Sequence, residues 1–299
     1  MKRTFWLASY PKSGNTWFRI LIANLGRTDP VDINALSARG SIASGRQLFD
    51  STMLFPSGLL TYDECDRMRP TVHRAAAAAI ATEAGRDAEV DGAGGAHFAK
   101  THDGWTVGDD GIPLLGGAAA AAGAILIVRD PRAVAASLAH HEGGTIDEAI
   151  GFMADADSVF SGRDDRLPRQ LRQRLLGWSQ FQRSWLDQRD IPVHCVRYED
   201  MHTDPAGCLA AALDFAGVAH DRDDVARAVG FARFDALTAQ ERDKGFREAP
   251  PSRVERRFFR RGRADGWRDE LTLAQQQQIE SDHQAMMRQL GYAAGASIA

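Results

Sequence analysis

The sequence predicts an α/β fold in which a central parallel β-sheet is flanked by helices. Continuous apolar runs at residues 5–8 and 123–128 are typical of buried strands, and a further strand with a polar end is expected at residues 192–200. Each run leads through a short polar loop into a segment with helical spacing, and this order of elements builds parallel sheets. The length of 299 residues allows one large domain or two smaller ones.

The composition argues against several classes of protein. A net charge of −4 predicts no general affinity for nucleic acid, so any basic site must be local. Three widely spaced cysteines, Cys65, Cys195 and Cys208, form neither a metal-binding pattern nor a disulfide framework, which favours a reducing compartment. Lys12 and Arg19 interrupt the first apolar segment, so it is neither a signal peptide nor a membrane span. We expect a soluble cytoplasmic protein.

A strand, a tight loop and a helix follow one another around residues 10–17, YPKSGNTW. This arrangement directs backbone N–H groups and a helix N-terminus at an anion. Gly14 lets the backbone approach closely, Lys12 adds a positive charge, and Ser13 and Thr16 add hydroxyl donors. The stretch predicts a phosphate-binding loop, although its lysine precedes the glycine, unlike in nucleoside triphosphatases. The alternative is an ordinary strand–turn–helix connection with a surface lysine.

The segment 96–103 places reactive side chains at the end of another strand. Residues 96–99 are predicted to form the strand, and Lys100 and His102 follow at its carboxyl end, where ligands bind in open α/β sheets. The lysine suits an electrostatic clamp, and the histidine suits a general base because its ordinary pKa is near neutrality. The alternative is a solvated lysine beside a hydrogen-bonded loop histidine.

A second anion site is predicted after the strand at residues 123–128. Arg129 follows the strand, Pro131 is placed well for a first helical turn, and Ser137 faces back from that helix. An arginine fork and a hydroxyl together suit a phosphate. The alternative is Arg129 paired with Asp130, beside a helix serine without a role.

Apolar residues at helical spacing predict further helices, and turns that contain glycine or proline predict the irregular segments. The segment 28–70 is expected to contain loops and short helices. The predicted helices span residues 71–86, 170–188, 222–229 and 271–290.

Three stretches agree, in residue identity and in chain order, with sulfotransferases that use 3′-phosphoadenosine 5′-phosphosulfate (PAPS). Residues 12–17 resemble the 5′-phosphosulfate loop of that family, residues 100–102 resemble its lysine–threonine–histidine segment, and residues 127–137 resemble its 3′-phosphate-binding segment. The resemblance covers residues 5–267. It implies the P-loop-like sulfotransferase fold in a single domain over residues 1–299.

The resemblance implies roles for individual residues. His102 would be the catalytic base, and Lys12 and Lys100 would neutralise charge on the transferring group and on the leaving phosphate. Trp17 would cover one face of the adenine, and Phe231, chosen in preference to Phe234, would stack on the other. The full set of implied donor-binding residues is Lys12, Ser13, Gly14, Asn15, Thr16, Trp17, Arg129, Ser137, Tyr198, Phe231, Arg260, Arg261 and Gly262.

Residues 240–262 carry many charges and two adjacent prolines, which predicts a mobile loop or lid. The loop ends in Arg260-Arg261-Gly262, which resembles an arginine–lysine–glycine element of the family that closes on the 3′-phosphate. The chain departs from that element in having Arg261 in place of the lysine, a change that keeps the charge.

The resemblance implies in-line transfer of a sulfuryl group from PAPS to a hydroxyl or amine of a small-molecule acceptor. The product would be adenosine 3′,5′-bisphosphate (PAP), and no metal, nucleic acid or membrane would take part. Residues 6–11 resemble bacterial members that sulfate small molecules or natural products. The acceptor and the oligomeric state, a homodimer included, stay open. The alternatives are a P-loop kinase and a non-enzymatic nucleotide- or RNA-binding protein that uses residues 253–263.

Overall fold

The computed structural model of the chain describes residues 1–38, 42–82, 94–162, 168–249, 257–260 and 262–292, and its centre is a parallel sheet. The strands in these ranges are β1 (Arg3–Ser9), β2 (Ala96–Thr101), β3 (Gly123–Val128), β4 (Val159–Phe160), β5 (Gln173–Arg174) and β6 (Val193–Arg197). The α-helices in the same ranges are α1 (Asn15–Ala23), α2 (Arg46–Met53), α3 (Tyr62–Thr82), α4 (Pro131–Glu142), α5 (Ile146–Ala154), α6 (Trp178–Asp187), α7 (Tyr198–Thr203), α8 (Pro205–Ala216), α9 (Arg222–Phe231), α10 (Phe234–Lys244) and α11 (Leu273–Gln289). None of the described helices is long and apolar enough to cross a lipid bilayer.

The strand order of the sheet creates a natural ligand site beside β1. Neighbouring strands run parallel in the order β2–β1–β3–β6. The chain passes from β1 to β2 on one side and then to β3 on the other, so the strand order reverses next to β1. In open α/β sheets ligands bind at such a point, outside the carboxyl ends of the strands.

Apolar side chains cover both faces of the sheet. Along β1, Phe5 and Leu7 are buried against residues of α1, α8 and α9, whereas Trp6 and Ala8 are buried on the other face with residues of α4, α6 and α11. This two-residue alternation is expected of a strand that has helices on both sides. The predicted class, an α/β fold with a central parallel sheet flanked by helices, is therefore confirmed.

The helices predicted over residues 222–229 and 271–290 are present as α9 and α11, but α3 departs from the prediction. It begins at Tyr62, inside the segment that was expected to be irregular. The backbone N–H of Glu64 donates to the Thr61 hydroxyl, and the Thr61 N–H donates to the Glu64 carboxylate. This Thr-x-x-Glu capping box is a sequence signal for a helix start, and the prediction overlooked it.

The predicted helix over residues 170–188 is wrong in its first half, because α6 begins only at Trp178. The backbone N–H of Arg174 instead donates to the buried carboxylate of Asp103 at 3.0 Å, and the short strand β5 pairs with β4. The apolar side chains of the segment are buried as the pattern indicated. Tertiary hydrogen bonds thus override the helical periodicity here.

Helix α10 extends into the predicted mobile loop at residues 240–262, since it ends at Lys244. Gly245, with a φ of +68°, terminates the helix in a conformation that suits glycine. The mobility of the loop stays a prediction. Segments of predicted elements that lie outside the described residues are 83–86, 250–256 and 261.

Candidate active site

The carboxyl ends of β1, β2 and β3 form one edge of the sheet, and the predicted donor-binding segments meet there. Ala8 of β1 pairs with Thr101 of β2, and Ser9 of β1 pairs with Ile127 of β3. The loop after β1, the histidine after β2 and the arginine after β3 therefore leave the sheet side by side. The fold brings together segments that are far apart in the sequence.

The loop between β1 and α1 has a backbone conformation that few residues adopt. Gly14 has a φ of +100°, and a Cβ there would lie 2.5 Å from Cδ2 of Tyr198. Lys12 has a φ of +67°, which is strained for a residue with a side chain. Helix α1 starts at Asn15, so its N-terminal N–H groups open toward the loop. The geometry suits an anion-binding loop.

The ammonium group of Lys12 lies among aromatic and basic side chains. Its Nζ is 4.3 Å from the ring centre of Phe258 and 3.4 Å from Nδ1 of His141. Burial lowers the pKa of Lys12 to about 7, and the charges of Arg129 and Lys100 act in the same direction. A bound anion would restore the charge of this lysine.

The ring of His102 is held by the end of β1. Nδ1 of His102 lies 2.7 Å from the carbonyl oxygen of Ser9, and because a carbonyl only accepts, Nδ1 carries the hydrogen. Nε2 is then the nitrogen with the lone pair. Burial, together with the charge of Lys100, lowers the pKa of His102 to about 3. The imidazole is thus neutral near pH 7, and this is the form that accepts a proton.

Asn15 ties the loop to the strand end that holds His102. Its Nδ2 donates to the carbonyl oxygen of Leu7 at 2.9 Å and to the hydroxyl of Ser9 at 3.2 Å. The side chain is buried, so these bonds are sheltered from water. The predicted donor loop and the predicted base are therefore coupled through Ser9.

Arg129 connects the loop to an aromatic group. Its Nη1 donates to the carbonyl oxygen of Lys12 at 2.8 Å, and its guanidinium carbon lies 4.1 Å from the ring centre of Tyr198. The rings of Tyr198 and Trp17 meet edge to face at 5.9 Å. The structure thus brings Arg129, Tyr198 and Trp17, all predicted donor-binding residues, into one group.

One side of helix α4 faces the group formed by Arg129, Tyr198 and Trp17. Asp130 caps the helix, and Pro131 occupies its first turn as predicted. Ser137 and His141 are four residues apart, which places them on the same side of the helix. Since His141 contacts Lys12, the half-buried Ser137 faces the same loop.

The element predicted to close on the 3′-phosphate, Arg260-Arg261-Gly262, lies only partly within the described residues. Arg260 forms a two-pronged ion pair with Glu270, with Nη2 at 2.7 Å from Oε1. Gly262 has a φ of +58°, and a Cβ there would collide with the ring of Phe234. Arg261 lies outside the described residues. Any approach of Arg260 to a phosphate would compete with the carboxylate of Glu270.

Two phenylalanines are candidates for the adenine-stacking role. Phe231 is the half-buried last residue of α9, whereas Phe234 is 38% exposed and packs against Gly262. Nε1 of Trp17 donates to the carbonyl oxygen of Ala232 at 3.0 Å, which brings the indole to the same turn of chain. The turn that carries Phe234 therefore links Trp17 to the Gly262 segment.

A carboxylate that the sequence analysis missed, Glu248, also reaches the site. It accepts from Nη1 of Arg19 at 2.7 Å and from the hydroxyl of Thr16 at 3.3 Å, and it lies 3.6 Å from Nζ of Lys100. Burial raises the pKa of Glu248, but Lys100 and Arg19 outweigh burial and lower it to about 2. In the sequence this glutamate belongs to a run of charges typical of a solvated loop, so no local signal pointed to it.

A buried ion pair supports the backbone next to His102. Asp103 and Arg69 are both fully buried, and Nη2 of Arg69 lies 2.6 Å from Oδ2 of Asp103. The same carboxylate accepts the backbone N–H of Arg174, and the Asp103 carbonyl oxygen accepts Nε1 of Trp185 at 3.1 Å. This network fixes the chain where it leaves β2.

Replacing Asp103 by alanine should destabilise the fold by about 3 kcal/mol, because the buried Arg69 guanidinium would lose its closer counter-ion and keep only Asp66, 3.6 Å away. Urea unfolding of the two proteins measures the difference. Asp63→Ala serves as the control, since Asp63 pairs with Arg172 at a side chain that is 73% exposed and its loss should hardly move the midpoint. Equal, small shifts for both variants would show that the buried pair does not stabilise the site.

The charges around the site suit an anion. Besides burial, the positive charges of Arg129, Lys100 and Arg260 all lower the pKa of Lys12. In the part of the chain that the structure describes, no group of three or more His, Cys, Asp or Glu side chains is placed to hold a metal ion. The positive charges of these lysine and arginine side chains would compensate the charge of a phosphorylated ligand.

The sequence matches a known protein family. The profile of the sulfotransferase domain matches residues 120–291, more than half of the chain. The match includes the predicted 3′-phosphate segment and the residues after it, and it begins beyond the first loop and His102. No curated protein matches the sequence.

Solved structures extend the likeness to nearly the whole chain. Retinol dehydratase, in complexes with PAP and either androsterone or retinol, superposes with TM-scores of 0.55 and 0.56 at 17% and 18% identity, over 95% and 96% of this chain and 80% and 82% of the other. A mouse sulfotransferase complexed with PAP superposes with a TM-score of 0.55 at 16% identity, over 96% of this chain and 85% of the other. At these identities the likeness establishes the fold.

Proposed function

The chain belongs to the sulfotransferase domain family, and on that premise we propose that it transfers a sulfuryl group from PAPS to a hydroxyl or amine of a small-molecule acceptor. The observation that carries the proposal is the meeting of Lys12, Lys100 and His102 at one edge of the sheet, with Nδ1 of His102 bonded to Ser9. Two cations and a neutral imidazole are the groups that sulfuryl transfer needs.

The loop of residues 12–17 would bind the 5′-phosphosulfate of the donor through its backbone N–H groups and the Thr16 hydroxyl. Two buried polar atoms near it, Oγ of Ser13 and Nε of Arg129, have no hydrogen-bond partner among the described residues. Buried polar atoms are normally paired, so these two atoms support an anionic ligand here. The PAP bound in the structures of the related fold is consistent with that ligand.

The 3′-phosphate would bind to Arg129 and Ser137, with Arg260 as a further cation once it exchanges Glu270 for the phosphate. The adenine would stack on Trp17. For the opposite face we favour Phe234 over Phe231, because Phe234 is the exposed ring that packs against Gly262.

The reaction is then a direct displacement at sulfur. The acceptor oxygen or nitrogen attacks the sulfur while its proton passes to Nε2 of His102, and the bond from sulfur to the 5′-phosphate oxygen breaks. Lys12 and Lys100 stabilise the negative charge that develops on the leaving oxygen and on the sulfuryl oxygens. The protein contributes positioning and fixed charge, as in phosphoryl transfer.

The acceptor would be a small molecule that reaches His102. The retinol dehydratase structures contain androsterone and retinol, both of which carry a hydroxyl group. The backbone N–H of Ala43 donates to the carbonyl oxygen of Lys100 at 2.8 Å, so the segment before α2 borders this side of the site. That segment would contribute to the choice of acceptor.

Calorimetric binding of PAP, compared with that of ATP and magnesium, tests the donor. We expect tight binding of PAP, weaker binding of ATP and no ATP hydrolysis. Magnesium-dependent ATP hydrolysis would support a kinase instead. Salt-sensitive RNA binding without PAP binding would support the non-enzymatic alternative.

The affinity for PAP should fall as the pH rises above 7. The pKa of Lys12 is about 7, so the lysine is charged below that pH and loses its charge above it, unless a bound anion raises its pKa. The affinity for PAP should drop by up to about tenfold per pH unit between pH 7 and the higher pKa that Lys12 has in the complex with PAP. Calorimetry across this window measures the slope, and a Lys12→Met variant should show a smaller one, since Lys100, whose pKa burial also lowers, remains in the site. A flat profile for the unmodified protein would contradict the role of Lys12.

A further inference from the structure

The carboxylate of Glu248 contacts side chains that PAPS, the proposed sulfuryl donor, would also bind. Its Oε2 accepts from the Thr16 hydroxyl and lies 3.6 Å from Nζ of Lys100, while its Oε1 accepts from Arg19. Thr16 and Lys100 are the side chains assigned above to the 5′-phosphosulfate. The carboxylate of Glu248 therefore contacts the same hydroxyl and ammonium groups that the phosphosulfate of PAPS would contact.

The two anions cannot both keep these contacts. A hydroxyl has a single hydrogen, so Thr16 can donate either to Glu248 or to a phosphate oxygen. A phosphosulfate beside Lys100 would also stand next to the Glu248 carboxylate, and like charges in a partly buried site repel one another strongly. The carboxylate is 26% exposed, so water reaches it and it has room to leave.

Hydrogen bonds and ring packing hold the backbone next to Glu248, so the movement that would release Thr16 and Lys100 is limited to the Glu248 side chain. Nδ2 of Asn34 donates to the carbonyl oxygen of Gly245 at 3.0 Å, and the N–H of Arg247 donates to Oδ1 of Asn34 at 2.8 Å. The ring of Phe246 is buried against Phe258, at 4.7 Å between ring centres. A change of the Glu248 rotamer is therefore the smallest movement that frees the site.

We propose that Glu248 is an internal competitor of the donor, which holds Thr16 and Lys100 until the phosphosulfate of PAPS displaces it. Because Arg19 binds Oε1 and the other two groups bind Oε2, the side chain can release Thr16 and Lys100 while it keeps Arg19. Glu248 also acts as the counter-ion of two cations in the site. The inference rests on the proposed function, since it takes the donor to be PAPS.

The test is the affinity of Glu248→Gln for PAP, measured by calorimetry beside the unmodified protein. Glutamine keeps the shape and the bond from Arg19 but removes the negative charge, so PAP should bind about tenfold more tightly. Asp243→Asn is the matched control, because it removes a carboxylate that is 70% exposed near the end of α10 and should leave the affinity unchanged. Unchanged or weaker binding by Glu248→Gln would overturn the inference.

Failure of the inference can be told apart from failure of the proposed function. If neither protein binds PAP, the donor site is wrong and the inference falls with it. If both bind PAP equally, the donor site stands and only the competition is refuted. Should Glu248→Gln fail to fold, Glu248→Asp decides, since it draws the carboxylate back by one methylene. Tighter PAP binding by that variant supports the competition, and equal binding contradicts it.

Discussion

Replacing His102 by alanine should reduce sulfuryl transfer by at least about a hundredfold, which is the usual contribution of a general base. The affinity for PAP should stay unchanged, because Nδ1 of His102 bonds to Ser9 and Nε2 would face the acceptor under the proposed mechanism. Steady-state rates with saturating PAPS, together with calorimetry for PAP, separate these two effects.

His97→Ala is the matched control for this prediction. His97 lies within β2, and Phe98, Ala99 and Lys100 separate it from the strand end. The control should keep its rate of transfer. Near-normal turnover by His102→Ala would remove the histidine from the mechanism, and a loss of PAP binding by the same variant would show that the change damages the site as a whole.

Replacing Arg129 by alanine should weaken the binding of PAP by about ten- to a hundredfold, since hydrogen bonds from charged groups contribute about 1.5–3 kcal/mol. The reason is the loss of the guanidinium that would bind the 3′-phosphate beside Tyr198. Adenosine 5′-phosphate lacks that phosphate, so its affinity should hardly change. Calorimetry with both nucleotides measures the difference.

The second nucleotide also detects a purely structural role. Arg129 donates to the carbonyl oxygen of Lys12, so its removal could loosen the loop itself. In that case both nucleotides would lose affinity to the same extent. Equal losses would therefore assign Arg129 to the support of the loop and leave the 3′-phosphate without its main partner.

The parts of the site that the sequence predicted are those with a local signal. Continuous apolar runs locate β1 and β3, and each is followed directly by its loop or by Arg129, so the meeting of these segments follows from parallel pairing. Gly14 could be recognised because a residue without a Cβ lets the backbone approach a ligand closely, although its positive φ and its tight contact with Tyr198 are visible only in the structure.

The parts that the sequence did not predict depend on contacts between distant segments. Glu248 reaches Thr16 and Lys100 only because the turn after α10 packs beside the first loop. The start of α6 is shifted because Asp103 takes the backbone N–H of Arg174. In each case the contacting residues are far apart in the chain, so no local sequence pattern could have indicated the contact.

The ring proposed to cover the second face of the adenine is an intermediate case. The resemblance to the family pointed to Phe231 in preference to Phe234, and the two residues lie close together at the junction of α9 and α10. Their exposure depends on how the two helices turn, and the structure exposes Phe234 beside Gly262. The preference for Phe234 made above therefore depends on the fold, and the stacking of either ring on adenine stays a prediction.

The activity proposed for this edge of the sheet is the transfer of the sulfuryl group of PAPS to a small acceptor. The most direct measurement incubates the protein with sulfur-labelled PAPS and a panel of phenols, alcohols, amines and glycosides, and follows the label. We expect the label to move to at least one acceptor and PAP to be released in equal amount. We also expect His102→Ala to transfer at least about a hundredfold more slowly while it still binds PAP. Binding of PAPS with no transfer of label to any member of the panel, or transfer that is unchanged in His102→Ala, would contradict this proposal.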